Sequence, residues 1–341
     1  MERHHHNHVI IIAEAGVNHN GSVDRALEMV HAAAAAGADY VKFQTFKSSD
    51  LVSACAEKAE YQKKNCPGCG STQLEMLRGL ELSADAFAML KRECDAAGIG
   101  FLSSPFDSGS IKLLSALDMD LWKIPSGEIT NMPYLREVAG MRQPVILSSG
   151  MSTLEEVRQA VKILCDGGLT KDRITLLHCN TQYPTPMRDV NLRAMDALRS
   201  LGCGSVGYSD HTPGIEIPIA AAALGATVIE KHFTLDVNLP GPDHKASLIP
   251  AELSAMVSAI RNVEMALGGS GKKSVSDSER ANIAVARRSI VAARHIAKGE
   301  LLTADNLAVK RPGTGVSPML WDEVTGTRAV RDFSADELIE L

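Results

Sequence analysis

The sequence predicts an α/β chain, a (β/α)₈ TIM barrel followed by a small C-terminal domain. Three observations carry that expectation. Short apolar segments recur eight times between Val9 and Lys231. Stretches of helical periodicity separate them. Beyond Leu267 the composition breaks into a Gly- and Ser-rich run, after which only short strands and turns follow. Eight strand–helix units in succession point to a closed parallel barrel, and a doubly wound sheet is the alternative way to arrange alternating elements.

In chain order the strand candidates are Val9–Ala13, Tyr40–Gln44, Gly100–Ser104, Leu121–Pro125, Val145–Ser149, Ile174–Cys179, Ser205–Tyr208 and Thr227–Lys231. They are rich in Val, Ile, Leu or Phe and short enough to be parallel strands buried on both faces. Helical periodicity is clear in Arg25–Ala36 and in Thr153–Leu164, the second capped by Ser152 or Thr153. Gly37 and Gly98 stand between a helix and the next strand, where a left-handed cap fits. The longest connection, Thr45 to about Leu82, holds the loop Cys66-Pro-Gly-Cys-Gly70 and a short helix around Thr72–Gly79. A loop of that length on a barrel rim serves as a lid or substrate wall. The last barrel helix covers Ala251–Leu267. The expected division is therefore a barrel domain over 1–268, a linker over 269–285 and a compact tail over 286–341. A tail this small is marginal alone and is expected to dock on another surface.

The 341 residues carry a formal net charge of -6 and 45% hydrophobic residues. That balance gives no reason to expect nucleic acid or an anionic membrane as partner. No apolar run approaches the roughly 18 residues of a membrane span, and the N-terminus lacks the apolar segment of a signal peptide. Seven cysteines, odd in number and scattered, do not make a disulfide framework and suit a reduced cytoplasm. Cys66 and Cys69 could form half a zinc knuckle, but no second CxxC exists, so two free thiols in a glycine-rich loop are expected. The His-rich stretch Met1–His8 is set apart from the functional reading.

Polar residues gather at the predicted strand ends. His211 and His232 close the seventh and eighth strand regions, and in a parallel barrel such ends share one rim. Imidazole is the commonest side-chain ligand for Mn, Fe, Co or Zn. The other ends supply Glu14 with Asn18-His-Asn-Gly21, then Lys42 and Gln44, Ser103-Ser104, Lys123 with Ser126 and Glu128, Ser148-Ser149, His178 with Thr181 and Tyr183, Ser209, Glu230, and Asp243 in Gly241-Pro-Asp243. Lys42 and Gln44 share a face because strand side chains alternate, as do Ser209 with His211 and Glu230 with His232. Two lysines among serine hydroxyls and glycine amides are the ingredients of a phosphate or carboxylate site. Two histidines near carboxylates are those of a divalent site with open positions. The blander readings place a strand lysine on the barrel exterior, His178 as a hydrogen-bonded core residue and His31 in solvent.

These residues resemble the bacterial sialic acid (nonulosonic acid) synthase family, with its N-acetylneuraminate and N,N'-diacetyllegionaminate branches. The strings that carry the resemblance are Glu14-Ala-Gly-Val-Asn-His-Asn-Gly21, Val41-Lys-Phe-Gln44, Lys123-Ile-Pro-Ser-Gly-Glu128, His178-Cys-x-Thr-x-Tyr-Pro184, Ser209-Asp-His-Thr212, Glu230-Lys-His-Phe-Thr234 and Gly241-Pro-Asp243. Lys298-Gly-Glu300 and Lys310-Arg-Pro-Gly313 in the tail are similar to an antifreeze-like (SAF) domain. The resemblance implies condensation of phosphoenolpyruvate with an open-chain N-acyl mannosamine-type sugar, releasing phosphate by C–O cleavage. It implies a divalent ion, Mn²⁺ with Mg²⁺ or Co²⁺ as substitutes, on His211 and His232, with Glu14 as the catalytic base. Lys42, Lys123, Ser126, Ser148, Thr181 and Ser209 would bind phosphoenolpyruvate. Gln44, Glu128, Tyr183 and Asp243 would hold the sugar, together with Arg311 from the tail of a partner chain in a domain-swapped homodimer. Thr181 stands where some N-acetylneuraminate-making relatives carry Asn, and residues 60–80 look more like the legionaminate branch. A related 3-deoxy-keto sugar acid synthase is the enzymatic alternative, but it needs a second basic cluster and the predicted rim has no surplus of Arg. A Schiff-base aldolase on Lys42 or Lys123 would leave the histidines without purpose, and a tail that serves only as a binding module would leave the whole rim without one.

Overall fold

In the computed structural model, which describes residues 8–66, 68 and 70–341, all eight expected strands form. They are β1 (Ile10–Gly16), β2 (Tyr40–Thr45), β3 (Gly100–Pro105), β4 (Trp122–Ile124), β5 (Val145–Ser148), β6 (Ile174–Cys179), β7 (Ser205–Asp210) and β8 (Val228–His232). Every pairing is parallel, and the order β3-β2-β1-β8-β7-β6-β5-β4 closes β1 against β8. Strands β3 and β4 lie side by side without a ladder, leaving one seam in a near-closed barrel. β4 has only three residues, which is why little backbone is available to pair across that seam.

Outward-facing Ile11, Val41, Phe43, Phe101, Leu147, Tyr208 and Ile229 are buried under the helical layer. The helix Val23–Ala36 covers β1 and β2 with Ala26, Met29, Val30 and Ala33. Its start is set by the Ser22 hydroxyl accepting from Arg25 N–H, and its end by Gly37 at φ 82°, the left-handed cap. Leu154–Asp166 is capped by Thr153, not Ser152, because Glu156 completes a capping box with Thr153.

Two strand ends run two or more residues past their expected limits. β1 continues to Gly16 through a register shift against β2 between Glu14 and Gly16. Gly16 has φ +53°, and a Cβ there would sit 3.2 Å from Glu14 Oε1 and 3.4 Å from His232 Cε1. Glycine at this bulge therefore frees the space into which Glu14 and His232 project. β7 continues to Asp210, which puts His211 one residue beyond the last ladder residue.

The connection after β2 holds three short helices rather than one, Ser48–Leu51, Glu60–Asn65 and Gln73–Arg78. Only the last has a strong sequence marker, the Thr72–Glu75 capping box. The connection carries its own small apolar cluster, Met76 and Leu80 packed with Val17 and Phe46. Asn65 Nδ2 ties it to the β8 loop by donating to Pro242 O at 2.9 Å. Cys66 is buried and disulfide-bonded, which overturns the free-thiol reading for that residue. Cys69 lies outside the described residues, as does the His run apart from His8.

The chain divides into two compact units after Gly268. The second opens with polar chain and two short helices, Asp277–Arg280 and Asn282–Ala286, in the stretch expected as linker. Its body is an antiparallel pair, β9 (Ser289–Ala292) with β10 (Leu307–Lys310), over a core of Ile290, Ile296, Leu302, Phe333 and Ile339. Among the described residues no helix is long and apolar enough to cross a membrane.

Candidate active site

Register brings the chemistry together. Glu14 on β1 pairs with Lys42 on β2 and with His232 on β8, so base, lysine and imidazole stand at one level on three adjacent strands. Ser209 on β7 pairs with Glu230 on β8 one step deeper. Alternation turns all of these into the barrel, where they open on a cavity of about 620 Å³. Every residue given a catalytic, metal or substrate-binding role from the sequence lines this cavity except Arg311, an exposed residue of the tail unit. The strand-end residues Asn18, Ser103, Ser149 and His178 do not line it.

One side of the cavity is cationic. Lys42 Nζ lies 2.7 Å from Glu14 Oε2 and 3.7 Å from Glu230 Oε2, and donates to Ser104 Oγ at 3.2 Å. Lys123 Nζ donates to Ser148 Oγ at 2.7 Å and lies 3.6 Å from Glu230 Oε1, which also accepts from Ser209 Oγ at 2.9 Å. Glu230 is thus a buried anion between two buried lysines. Burial pushes its carboxyl up, but Lys123, Lys42 and the Ser209 hydroxyl pull it down to about 2. Burial also lowers Lys42, but Glu14 and Glu230 outweigh it and keep the ammonium charged. Lys123, farther from a carboxylate, is lowered by burial. Around this pair Ser126 Oγ accepts from Gly150 N–H at 2.9 Å. A Cβ on Gly150 would fall 2.6 Å from Thr181 Cγ2, so glycine lets β5's end meet Ser126 and Thr181 closely.

The opposite side holds the histidines, with ring centroids 5.3 Å apart. His211 Nδ1 donates to the Asn180 carbonyl, leaving the Nε2 lone pair free. His232 Nδ1 is buried with no hydrogen-bond partner. Burial pulls His211 down to about 4 and His232 well below its usual range, so both rings are neutral. A buried nitrogen without a partner beside a second neutral imidazole, itself oriented by a backbone carbonyl, is a donor set that fits a divalent ion. Among the described residues no group of three or more His, Cys, Asp or Glu is arranged for a metal, so these two rings would leave coordination positions to water or substrate.

Tyr183 roofs this side, 4.0 Å from the His211 ring and 5.5 Å from His232, and stacks on Tyr61 at 5.1 Å. Asp243 is buried, and burial together with Glu14 pushes its carboxyl up to about 7. Gln44 Nε2 donates to Glu14 Oε1 at 3.2 Å, and half-buried Glu128 accepts from Asn131 at 2.6 Å. The wall beyond is apolar, made by Phe46, Leu51, Met76, Leu77, Leu80 and Phe106. The lining contains no arginine.

Among the lining residues given no role from the sequence, Ser104, Glu230 and Tyr61 stand out for their contacts with assigned ones. Glu230 had a signal, since it shares the inward face with His232. Tyr61 lay in the stretch 60–80 that resembles the legionaminate branch, but its short helix has no apolar period to single it out. His178 Nε2 donates to Val190 O at 2.8 Å on the outer face, a structural role, and His31 is exposed beside Glu93.

The family model described as the NeuB family matches residues 29–272, and that of the SAF domain matches 287–340. The chain is 48% identical over 330 residues to an N,N'-diacetyllegionaminic acid synthase of Campylobacter jejuni, covering 97% of this chain and 98% of that one. It is 48% identical over 327 residues to the enzyme of the same name from Legionella pneumophila, covering 95% and 91%. A crystal structure of N-acetylneuraminic acid synthetase from Leptospira borgpetersenii superposes with a TM-score of 0.71 at 34% identity, over 81% of this chain and 90% of that one. With a matching family model across the barrel and near full-length likeness to working synthases, this chain belongs to the NeuB family of sialic- and legionaminic-acid synthases and carries a SAF domain at its C-terminal end.

Proposed function

We propose that the cavity joins phosphoenolpyruvate to open-chain 2,4-diacetamido-2,4,6-trideoxymannose, releasing phosphate by C–O cleavage and giving N,N'-diacetyllegionaminate. The observation that carries the reaction is Glu14 standing between Lys42 on one neighbouring strand and His232 on the other. The choice of sugar is supported by the two relatives at 48% identity, by the apolar wall, which suits a deoxy carbon and N-acetyl methyls, and by a lining without the arginine a phosphorylated acceptor would call for.

Lys42 and Lys123 bind the phosphate and carboxylate of phosphoenolpyruvate, with Ser126, Ser148, Thr181 and Ser209 as hydroxyl donors. His211 and His232 would hold a divalent ion, Mn²⁺ in the simplest case, which when bound would supply Lewis-acid polarisation of the acceptor aldehyde. Gln44, Glu128, Tyr183 and Asp243 orient the open-chain sugar so that its aldehyde carbon faces C3 of phosphoenolpyruvate. As the C3–carbon bond forms, the enol electrons leave C2 electron-poor. Water adds at C2 and gives its proton to Glu14, whose carboxyl burial has made more basic. The former aldehyde oxygen takes up that proton to become the new hydroxyl. The C2–O bond breaks with its electron pair leaving on phosphate, and the C2 hydroxyl passes its proton to the departing phosphate to leave the keto acid. The partner subunit's Arg311 reaches the N-acyl group in a domain-swapped dimer, and a reaction fed by phosphoenolpyruvate belongs in the cytoplasm.

A phosphate-release panel tests the reading. The 2,4-diacetamido sugar is expected to exceed N-acetylmannosamine by at least about tenfold in kcat/KM, the scale of one well-placed apolar contact. Equal or reversed preference overturns the choice of sugar. Full activity after exhaustive chelation, or in His232→Ala, overturns the metal assignment.

A further inference from the structure

Directly behind the two rim histidines, on the outer face of the same strands, lies an ion pair with both side chains at 0% exposure: Lys231 Nζ stands 2.5 Å from Asp210 Oδ2. The two residues are also the last matched rung of the β7–β8 ladder. Lys231 donates further to the Thr212 carbonyl, and Asp210 accepts from Thr212 N–H at 3.1 Å and from its hydroxyl at 2.9 Å. His211 is therefore bracketed, with Asp210 before it and Thr212 after it both tied to Lys231. His232 follows Lys231 directly. Neither Asp210 nor Lys231 reaches the cavity.

A fully buried ion pair is a poor source of stability. Desolvating both ions offsets most of their attraction, and well-packed apolar replacements are often neutral or stabilising. What the pair does supply is geometry. The ladder stops at this rung, so without the clamp the turn carrying His211 would be free to move relative to β8.

We propose that Asp210 and Lys231 are a positioning pair that sets the separation and aim of the His211 and His232 rings, and thereby the affinity of the divalent site. The proposal rests on reading those two rings as metal ligands. It predicts that losing the clamp loosens the metal and largely spares phosphoenolpyruvate binding, whose two cations stand on β2 and β4.

The test is a double variant, Asp210→Leu with Lys231→Met, which removes both charges together and so leaves neither buried alone. Its melting temperature should stay within a few degrees of the unmodified protein. Binding of Mn²⁺ to the substrate-free protein, read from the electron paramagnetic resonance of the free ion, should weaken by about 10- to 100-fold, the usual cost of losing a group that orients a metal ligand. The dissociation constant of phosphoenolpyruvate by calorimetry should hold, and saturating Mn²⁺ should restore most of kcat, which a globally damaged barrel would not allow. Unchanged Mn²⁺ affinity in the folded double variant overturns the proposal, as does a loss of activity that Mn²⁺ cannot restore. Asp210→Asn serves if the double variant does not fold, because it keeps the side chain's size while removing the ion pair; weakened Mn²⁺ affinity with normal phosphoenolpyruvate affinity supports the clamp, and normal Mn²⁺ affinity contradicts it. His232→Ala in the same assay separates the failures. If it binds Mn²⁺ like the unmodified protein, the metal reading itself falls; if it loses Mn²⁺ while the double variant keeps it, only the positioning inference falls.

Discussion

The charged half of the cavity, which we propose takes phosphoenolpyruvate, is built mainly from strand residues pointed inward by alternation, whereas the apolar half, proposed for the acceptor, is walled largely by the long connection after β2. The first half is charged and held by short contacts, such as Lys42 to Glu14 at 2.7 Å and Lys123 to Ser148 at 2.7 Å. The second is a stacked tyrosine pair on an apolar wall, tied to the barrel through Asn65 and Pro242. Strand-borne charge suits an invariant substrate recognised by its anions. A loop-borne wall can change with little cost to the barrel, and that is where a family tunes which sugar it accepts.

The largest effect should come from the charged half. Lys123→Met removes one of two cations facing the substrate's anionic groups while Lys42 still neutralises Glu230. We expect kcat/KM for phosphoenolpyruvate to fall by about 10³-fold, in line with losing one partner of a buried charge-assisted contact, with Mn²⁺ binding unchanged in calorimetry. A loss confined to acceptor KM would break the division into halves. A smaller effect belongs to the loop half. Tyr61→Ala removes one ring of the stack on Tyr183 and should raise acceptor KM by about 10-fold, the scale of one aromatic pair, while the KM for phosphoenolpyruvate holds in the same steady-state assay.

The smallest effect is one of pH. Burial and Glu14 raise the Asp243 carboxyl to about 7. Below that pH it is protonated, and above it the carboxylate accepts better from sugar hydroxyls. Acceptor kcat/KM should therefore rise a few-fold as pH passes upward through about 7, and Asp243→Asn should flatten the profile. The sign for folding is opposite. A carboxyl whose folded value exceeds its unfolded value of about 4 favours the folded chain most at low pH, so its contribution declines as pH rises from about 4 towards about 7.

The same division marks how much was legible in the sequence. Period-2 alternation at strand ends placed Lys42 with Gln44, and Glu230 with His232, on one inward face, and both pairs line the cavity. The helix caps at Gly37 and Thr153 were readable because each needs a particular residue type. The connection was not. Glu60–Asn65 is too short for an apolar period and its helix start bears no Ser, Thr or Asp cap, so Tyr61 could be found only through its contact with Tyr183, which depends on the whole fold. The β1 bulge was hidden for a similar reason. Gly16 reads as one glycine among several until the register between β1 and β2 is known. Likewise the Asp210–Lys231 pair looks like a solvated pair in sequence, and only the helical layer over β7 and β8 makes it buried.

The central claim is that the two halves work on two substrates that meet at Glu14, with water adding at C2 of phosphoenolpyruvate. The most direct measurement uses phosphoenolpyruvate carrying ¹⁸O in the bridge between C2 and phosphorus, turned over with the 2,4-diacetamido sugar and Mn²⁺ and read by mass spectrometry of both products. The label should appear in phosphate, with no phosphate formed when the sugar is omitted. Label retained in the keto acid, or phosphate released without the sugar, would contradict the account.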